Sequence, residues 1–114
     1  MCVLLQHAAH CRSGDKGNTS NIMVIAYDPA LYPHLREQLS AERFKAFYAG
    51  VVTGAVRRYT IDHLGMMNFV CEGALGGGVS RNLCLDNYGK TLAAGILGFT
   101  LEIPDALRGA LRGM

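Results

Sequence analysis

Apolar positions along the chain fall into short runs with two different periods. Val3 to His10 alternates loosely and reads as a first strand. It ends at Cys11-Arg12-Ser13-Gly14-Asp15-Lys16-Gly17-Asn18, a cluster of turn formers. Asn21 to Tyr27 is an almost unbroken apolar run, as expected of a central strand buried on both faces. Asp28-Pro29 signals a helix start, with Asp as N-cap and Pro at the first helical position, and Leu31, Leu35 and Leu39 follow at helical spacing. Ser40 caps a second helix, with Glu42 near the positive end of its dipole. Phe44, Phe47, Tyr48 and Val51 supply its apolar stripe, and Gly50 its stop.

The second half is read as mostly strand. Ala55 to Ile61 sets Arg57, Tyr59 and Ile61 against Val56, Arg58 and Thr60, a strand with one wet face. Met66 to Glu72 sets Met67, Phe69 and Cys71 against Met66, Asn68, Val70 and Glu72, and Gly65 turns one strand into the other. A short strand follows over 81–85, then a turn over Asp86-Asn87-Tyr88-Gly89. Lys90 to Leu97 reads as a helix with Leu92, Ile96 and Leu97 inward, although Gly95 costs it about 1 kcal/mol relative to Ala. Phe99, Leu101 and Ile103 alternate in a last strand that ends at Pro104.

The predicted order is β-β-α-β-β-β-α-β. Without the first strand and the short fifth one it becomes β-α-β-β-α-β, the split pattern of a ferredoxin-like α+β sandwich. The expected fold is thus an antiparallel sheet with helices on one face and an additional N-terminal strand. The domain spans 1–104, and 105–114, where Ala-Leu-Arg-Gly occurs twice, is a tail expected to fray. The helices leave one sheet face uncovered, with Arg57, Tyr59 and Ile61 or Met66, Asn68 and Val70 on it. A homo-oligomer, most simply a dimer, would cover that face.

Composition narrows the function classes. A chain of 114 residues is one domain, and with 50% hydrophobic and 18% charged residues it has a core and is not disordered. No apolar run approaches the ~20 residues of a membrane helix. A net charge of +2, with methionines and no second aromatic beside Phe69, gives no nucleic-acid footprint. The cysteines at 2, 11, 71 and 84 form no C-x-x-C pair, and no export signal precedes them. That pattern reads as reduced thiols in a cytoplasmic protein. Cys2, His7, His10 and Cys11 are close in sequence, but two histidines three apart in a strand point to opposite faces. No metal and no cofactor is expected.

Candidate chemistry lies where basic residues meet glycines, of which the chain has 14. Three segments qualify: Arg12 to Asn18 with Asn21 beyond; Asn68 with Gly73-Ala74-Leu75-Gly76-Gly77-Gly78 and Arg81; and Asp86 to Thr91 with Lys90. Each can present backbone N–H groups and a cation to a carboxylate or phosphate. None has the spacing of a phosphate-binding P-loop or a dinucleotide fingerprint. The competing reading is that these are ordinary turns, although three consecutive glycines exceed what a tight hairpin needs. If the loops converge, Lys16 and Arg81 face one anion, with Arg12 and Lys90 as further ligand-binding cations at strand ends. Asn21 and Asn68 would then orient it, Ser13 would join the ligand-binding set, Gly76, Gly77 and Gly78 would donate from the backbone, and Asp15 would hold Lys16 or Arg12 in place. No serine sits in a nucleophile elbow. His63, in a turn after Asp62, is the one candidate general base, so a catalytic set is not assembled.

At these same segments the sequence resembles a known family. Ala9-His10-Cys11-Arg12-Ser13-Gly14-Asp15-Lys16-Gly17-Asn18 followed by Asn21-Ile22 looks like the opening of the C-terminal domain of the acyclic terpene utilisation protein AtuA. The resemblance continues through Leu31-Tyr32-Pro33, Leu39 to Arg43, Asn68-Phe69-Val70, Gly73 to Gly78, Arg81-Asn82-Leu83, Asp86, Gly89 to Leu92 and Glu102-Ile103-Pro104. Cys11 stands where the family commonly has a small residue. The resemblance implies a ferredoxin-like fold and a small subunit or accessory domain that works beside a large AtuA-type protein. It also implies bacterial catabolism of acyl-CoA or organic acids, with hydratase or lyase chemistry. The alternative is a non-catalytic assembly module whose glycine loops are purely structural.

Overall fold

A computed structural model describes residues 1–16, 19–48, 54–72 and 95–113, with the backbone alone at 15, 16, 19 and 20. Strands β1 (Cys2–Leu4), β2 (Ala9–Lys16) and β3 (Thr19–Ala26) are followed by helices α1 (Tyr32–Gln38) and α2 (Ala41–Phe47). Strands β4 (Val56–Ile61), β5 (Met66–Glu72) and β6 (Thr100–Glu102) complete the order. β2, β3, β5 and β4 form one antiparallel sheet in that order, and β1 pairs with β6 in a second, two-stranded one. The fold is α+β and ferredoxin-like, with helices on one face of the larger sheet.

The N-terminal region differs from its sequence reading. The strand expected over 3–10 is broken by a 3-10 helix at Leu5–His7. The reason is that this stretch serves two sheets: β1 pairs with β6, whereas β2 pairs with β3. Ala8 and Ala9 are both fully buried at the crossing, and their small size admits that close approach. The turn cluster expected over 11–18 is mostly strand, because β2 runs through Arg12, Ser13 and Gly14 to Lys16, which pairs with Thr19. Ladder hydrogen bonds to β3 outweigh the turn propensity of those residues. The last strand closes the small sheet with β1 rather than joining the large one.

One face of the large sheet builds the core. Ile22 and Val24 of β3 and Met67, Phe69 and Cys71 of β5 are fully buried beneath Leu35, Leu39 and Phe44 of the helical layer. Phe44 stacks on Phe69 with ring centroids 4.4 Å apart and 10° between planes. Arg58, on this face of β4, donates to the carbonyls of Arg36 at 2.5 Å and Leu39 at 2.9 Å, which ties the end of α1 to the sheet. The Gln38 side chain clasps β6 through both of its polar atoms: Nε2 donates to the Glu102 carbonyl, and Oε1 accepts from the Glu102 N–H, each at 2.7 Å.

Local signals account for the element ends. Asp28 accepts from the Ala30 N–H at 2.8 Å and so shapes a turn, and α1 begins later, at Tyr32, with Pro33 in its first turn. Ser40 caps α2 through the Arg43 N–H, as expected. Gly65 has φ of 64°, a conformation that favours glycine, and links β4 to β5 after a 3-10 turn. At Gly95 a Cβ would lie 3.1 Å from the Tyr48 hydroxyl, so the helix-weakening glycine makes room for a buried ring. The short strand at 81–85 and most of the helix at 90–97 lie outside the described residues, as does Gly50.

The tail is docked. It forms a 3-10 helix at Asp105–Ala110, and Leu107, Ala110 and Leu111 pack against the core. Arg112 lies 4.4 Å over the Tyr27 ring, which His10 also stacks against at 5.6 Å. The His7 carbonyl accepts from the Arg112 N–H, and His7 Nδ1 donates back to the Arg112 carbonyl, both at 2.8 Å. These contacts replace the fraying that polar, glycine-containing ends commonly show.

Candidate functional site

Strand alternation places the other face of the large sheet toward solvent. Three rows cross all four strands on it. The first is His10, Ile25, Met66 and Ile61; the second Arg12, Met23, Asn68 and Tyr59; the third Gly14, Asn21, Val70 and Arg57. Met23, Ile25, Met66 and Val70 are only half-buried, and Tyr59 is 50% exposed. This face, which no described helix covers, therefore carries both groups that the alternation of β4 and β5 assigned to it.

Within this face the structure brings together part of the predicted site. Asn21 Nδ2 donates to Asn68 Oδ1 at 3.2 Å across β3 and β5. Gly14 lies directly across from Asn21, and a Cβ there would come within 2.7 Å of Asn21 Oδ1. The glycine of the motif thus admits the amide to the sheet surface. Arg12 is one residue pair further along the same face. Among the described side chains it has no ion-pair partner, whereas Arg57 on the opposite edge has Glu72 at 3.8 Å. A hydrogen bond to Tyr59, and then the Glu72 charge, raise the Arg57 pKa further.

Other predicted members separate from this group. Ser13 falls on the helix-side face with Cys11, because the two alternate with Arg12 and Gly14. Burial pushes the Cys11 thiol up to about 12, so it is a neutral core-side group and not part of the polar face. Asp15 and Lys16 contribute backbone pairing to Ser20 and Thr19, and their side chains lie outside the described atoms. Gly76, Gly77, Gly78, Arg81 and Lys90 lie outside the described residues altogether, as does their expected convergence with Lys16. Among the described residues no three His, Cys, Asp or Glu side chains gather as metal ligands. No helix there is long and apolar enough to cross a membrane.

A family model described as the AtuA ferredoxin-like domain matches residues 3–102. The chain belongs to this family. No curated protein and no solved structure matches it. The AtuA-type motif Arg12-Ser13-Gly14-Asp15-Lys16 is thus not a free loop in this member of the family. It is the rising arm of the β2–β3 hairpin, with alternate residues on opposite faces.

A cleft elsewhere in the fold escaped the sequence reading. It has a volume of about 380 Å³ and opens between α1 and the turn that joins β4 to β5. In it Tyr32 donates to Asp62 Oδ1 at 2.6 Å, and Arg36 Nη1 donates to Asp62 Oδ2 at 3.1 Å. Burial, then the Asp62 hydrogen bond and charge, push the Tyr32 hydroxyl up to about 12, which keeps it a donor. Asp62 was legible only as a turn residue, and His63 as a turn residue and candidate general base. Nothing in a single sequence pairs them with Tyr32 and Arg36, some thirty positions earlier.

Proposed function

We propose that the chain is a small subunit or accessory domain of a catabolic enzyme acting on acyl-CoA or organic-acid substrates. Its open sheet face would supply part of the site for the anionic substrate. The observation that carries this reading is the placement of Arg12 on the same sheet face as the Asn21–Asn68 amide pair, one residue pair along from Gly14–Asn21 and next to the apolar row of Ile25 and Met66. A carboxylate or thioester oxygen would meet Arg12 and the amides, and an acyl chain would lie along the row. The Gly76 to Gly78 loop with Arg81, Lys16 and Lys90 would complete the anion cradle. Among the described residues no acid–base set accompanies these groups, so hydratase or lyase chemistry would come from a large AtuA-type partner, in the cytoplasm.

The test is calorimetric titration of the co-expressed pair with a carboxylate or CoA thioester. Arg12→Ala or Arg81→Ala should weaken binding more than Arg108→Ala in the tail. Charge-assisted hydrogen bonds are worth ~1.5–3 kcal/mol against ~0–1 for an exposed charge. Equal effects would leave the glycine segments as turns. Independent elution of the two proteins, with activity unchanged when this one is omitted, would remove the subunit role.

The half-buried Met23, Ile25, Met66 and Val70 favour a second reading, in which this face is an assembly surface and the chain pairs with itself. A 12.3 kDa particle in light scattering at micromolar concentration would exclude the homo-oligomer. Assembly and substrate affinity that both survive a Lys16→Ala, Arg81→Ala double change would favour the non-catalytic module.

A further inference from the structure

The cleft between α1 and the β4–β5 turn has no part in the proposal above. It lies beyond the far end of the open face, next to Ala26, five residues along β3 from Asn21, or roughly 17 Å of strand. Its volume is near the lower end of the ~300–1,000 Å³ range of small-molecule sites. Its polar groups converge from two separate elements. Arg36 and Tyr32 come from α1, and Asp62 and His63 from the turn.

The ion pair in it is only partly satisfied. A guanidinium has five N–H donors and a carboxylate about four acceptor positions. Arg36 uses one nitrogen on Asp62, while Asp62 accepts once at each oxygen. The two side chains remain 50% and 55% exposed. The cleft thus presents a cation with donors to spare directly beside an anion with acceptors to spare. A plain anion would gain from Arg36 and lose to Asp62, and a plain cation the reverse. A molecule with a carboxylate and a neighbouring hydroxyl or ammonium group satisfies both. The walls add an apolar requirement. Pro29, Pro33 and Leu64 line the same cleft, and Leu64 is 59% exposed, the most exposed large apolar side chain among the described residues.

We propose that this cleft is a binding site for a small carboxylic acid that carries a hydrogen-bond donor beside its carboxylate and a short apolar body. Arg36 takes the carboxylate, and Asp62, oriented by the Tyr32 hydroxyl, accepts from the donor. The apolar body covers Leu64 against the two prolines. His63, at the same rim, adds a second N–H donor to the carboxylate.

The test uses the full chain and three acids of one carbon skeleton: leucic acid, leucine and isocaproic acid. Titration followed by NMR should show at least one of the first two shifting the amides of Tyr32 and Asp62 to Gly65. It should bind roughly ten-fold or more tightly than isocaproic acid, which lacks the donor. Whichever donor-bearing acid binds tighter identifies the donor as hydroxyl or ammonium. Arg36→Gln should cost roughly ten-fold or more, and Arg108→Gln nothing. If Arg36→Gln fails to fold, Leu64→Glu at the exposed rim should block binding instead. Absence of binding by either donor-bearing acid, or equal binding of isocaproic acid, would overturn the proposal. Shifts confined to Asn21 and Asn68 would also overturn it while supporting the open-face site.

Discussion

The two faces of one sheet follow opposite rules although neighbouring residues build them. Phe69 is sealed against Phe44, and Val70 beside it is half-buried on the open side. Arg58 runs beneath the helices and bonds two carbonyls, whereas Arg57 beside it lies on the surface near Glu72. On the helix side, polar atoms serve to close helix ends and thiols are held neutral. On the open side, amides and guanidiniums are presented. The comparison teaches that a residue's chemistry here depends on strand parity more than on its motif. Arg12 and Ser13 are adjacent in one short motif, yet they serve different faces.

The largest expected effect tests the sealed side directly. Phe69→Ala should cost about 3–5 kcal/mol in urea unfolding, because it removes a stacked ring from a fully buried site. Val70→Ala should cost about 1 kcal/mol or less. If Val70→Ala proves as damaging as Phe69→Ala, the open face is covered in solution, and the assembly reading gains.

Next comes the arginine pair. Arg58→Met should lower stability by about 1.5–3 kcal/mol, since two carbonyls at the end of α1 lose a charged donor. Arg57→Met should leave the unfolding midpoint where it was. Equal losses would mean that the open-face charges hold the fold together and are not free to bind.

The thiols sharpen the contrast with pH. Burial raises Cys71 to about 11 and Cys11 to about 12, against a usual value of 9.0. The folded chain therefore keeps protons that the unfolded chain releases above pH 9. Their contribution to stability is complete below pH 9 and is lost as pH rises toward 12. Unfolding midpoints should fall over that window, and Cys71→Ala should flatten part of the fall. In a Cys84→Ser background, exposed Cys2 should alkylate well before Cys11 and Cys71. Labelling of Cys11 and Cys71 as fast as Cys2 would mean that the helix side of the large sheet is not sealed.

The smallest effect on stability is expected at Gly14. Alanine gains about 0.5–1 kcal/mol of strand preference over glycine. Its methyl, however, would meet Asn21 Oδ1 at 2.7 Å and turn the amide away from Asn68. Overall stability should change by about 1 kcal/mol or less. The Asn21 side-chain resonances should shift and carboxylate binding should weaken. Unchanged binding would detach the amide pair from the proposed substrate site.

Much of this molecule is determined by sequence alone. The alternation of β4 and β5, the Ser40 cap, the Gly65 turn, the α+β class and the family were legible because each rests on local periodicity or on one short string. Asn21 and Asn68 were legible as candidates for the same reason. What only the tertiary structure decided is where non-local pairing overrides local preference. Pairing with β3 converts the turn formers of 12–16 into strand, and the need to serve two sheets breaks the stretch from Val3 to His10. Stacking on Tyr27 docks a tail that has little reason of its own to be ordered. The Tyr32–Arg36–Asp62 cluster exists only because the sheet brings a turn back to the first helix. Periodicity reports which side of an element is apolar, but not which distant element will meet it.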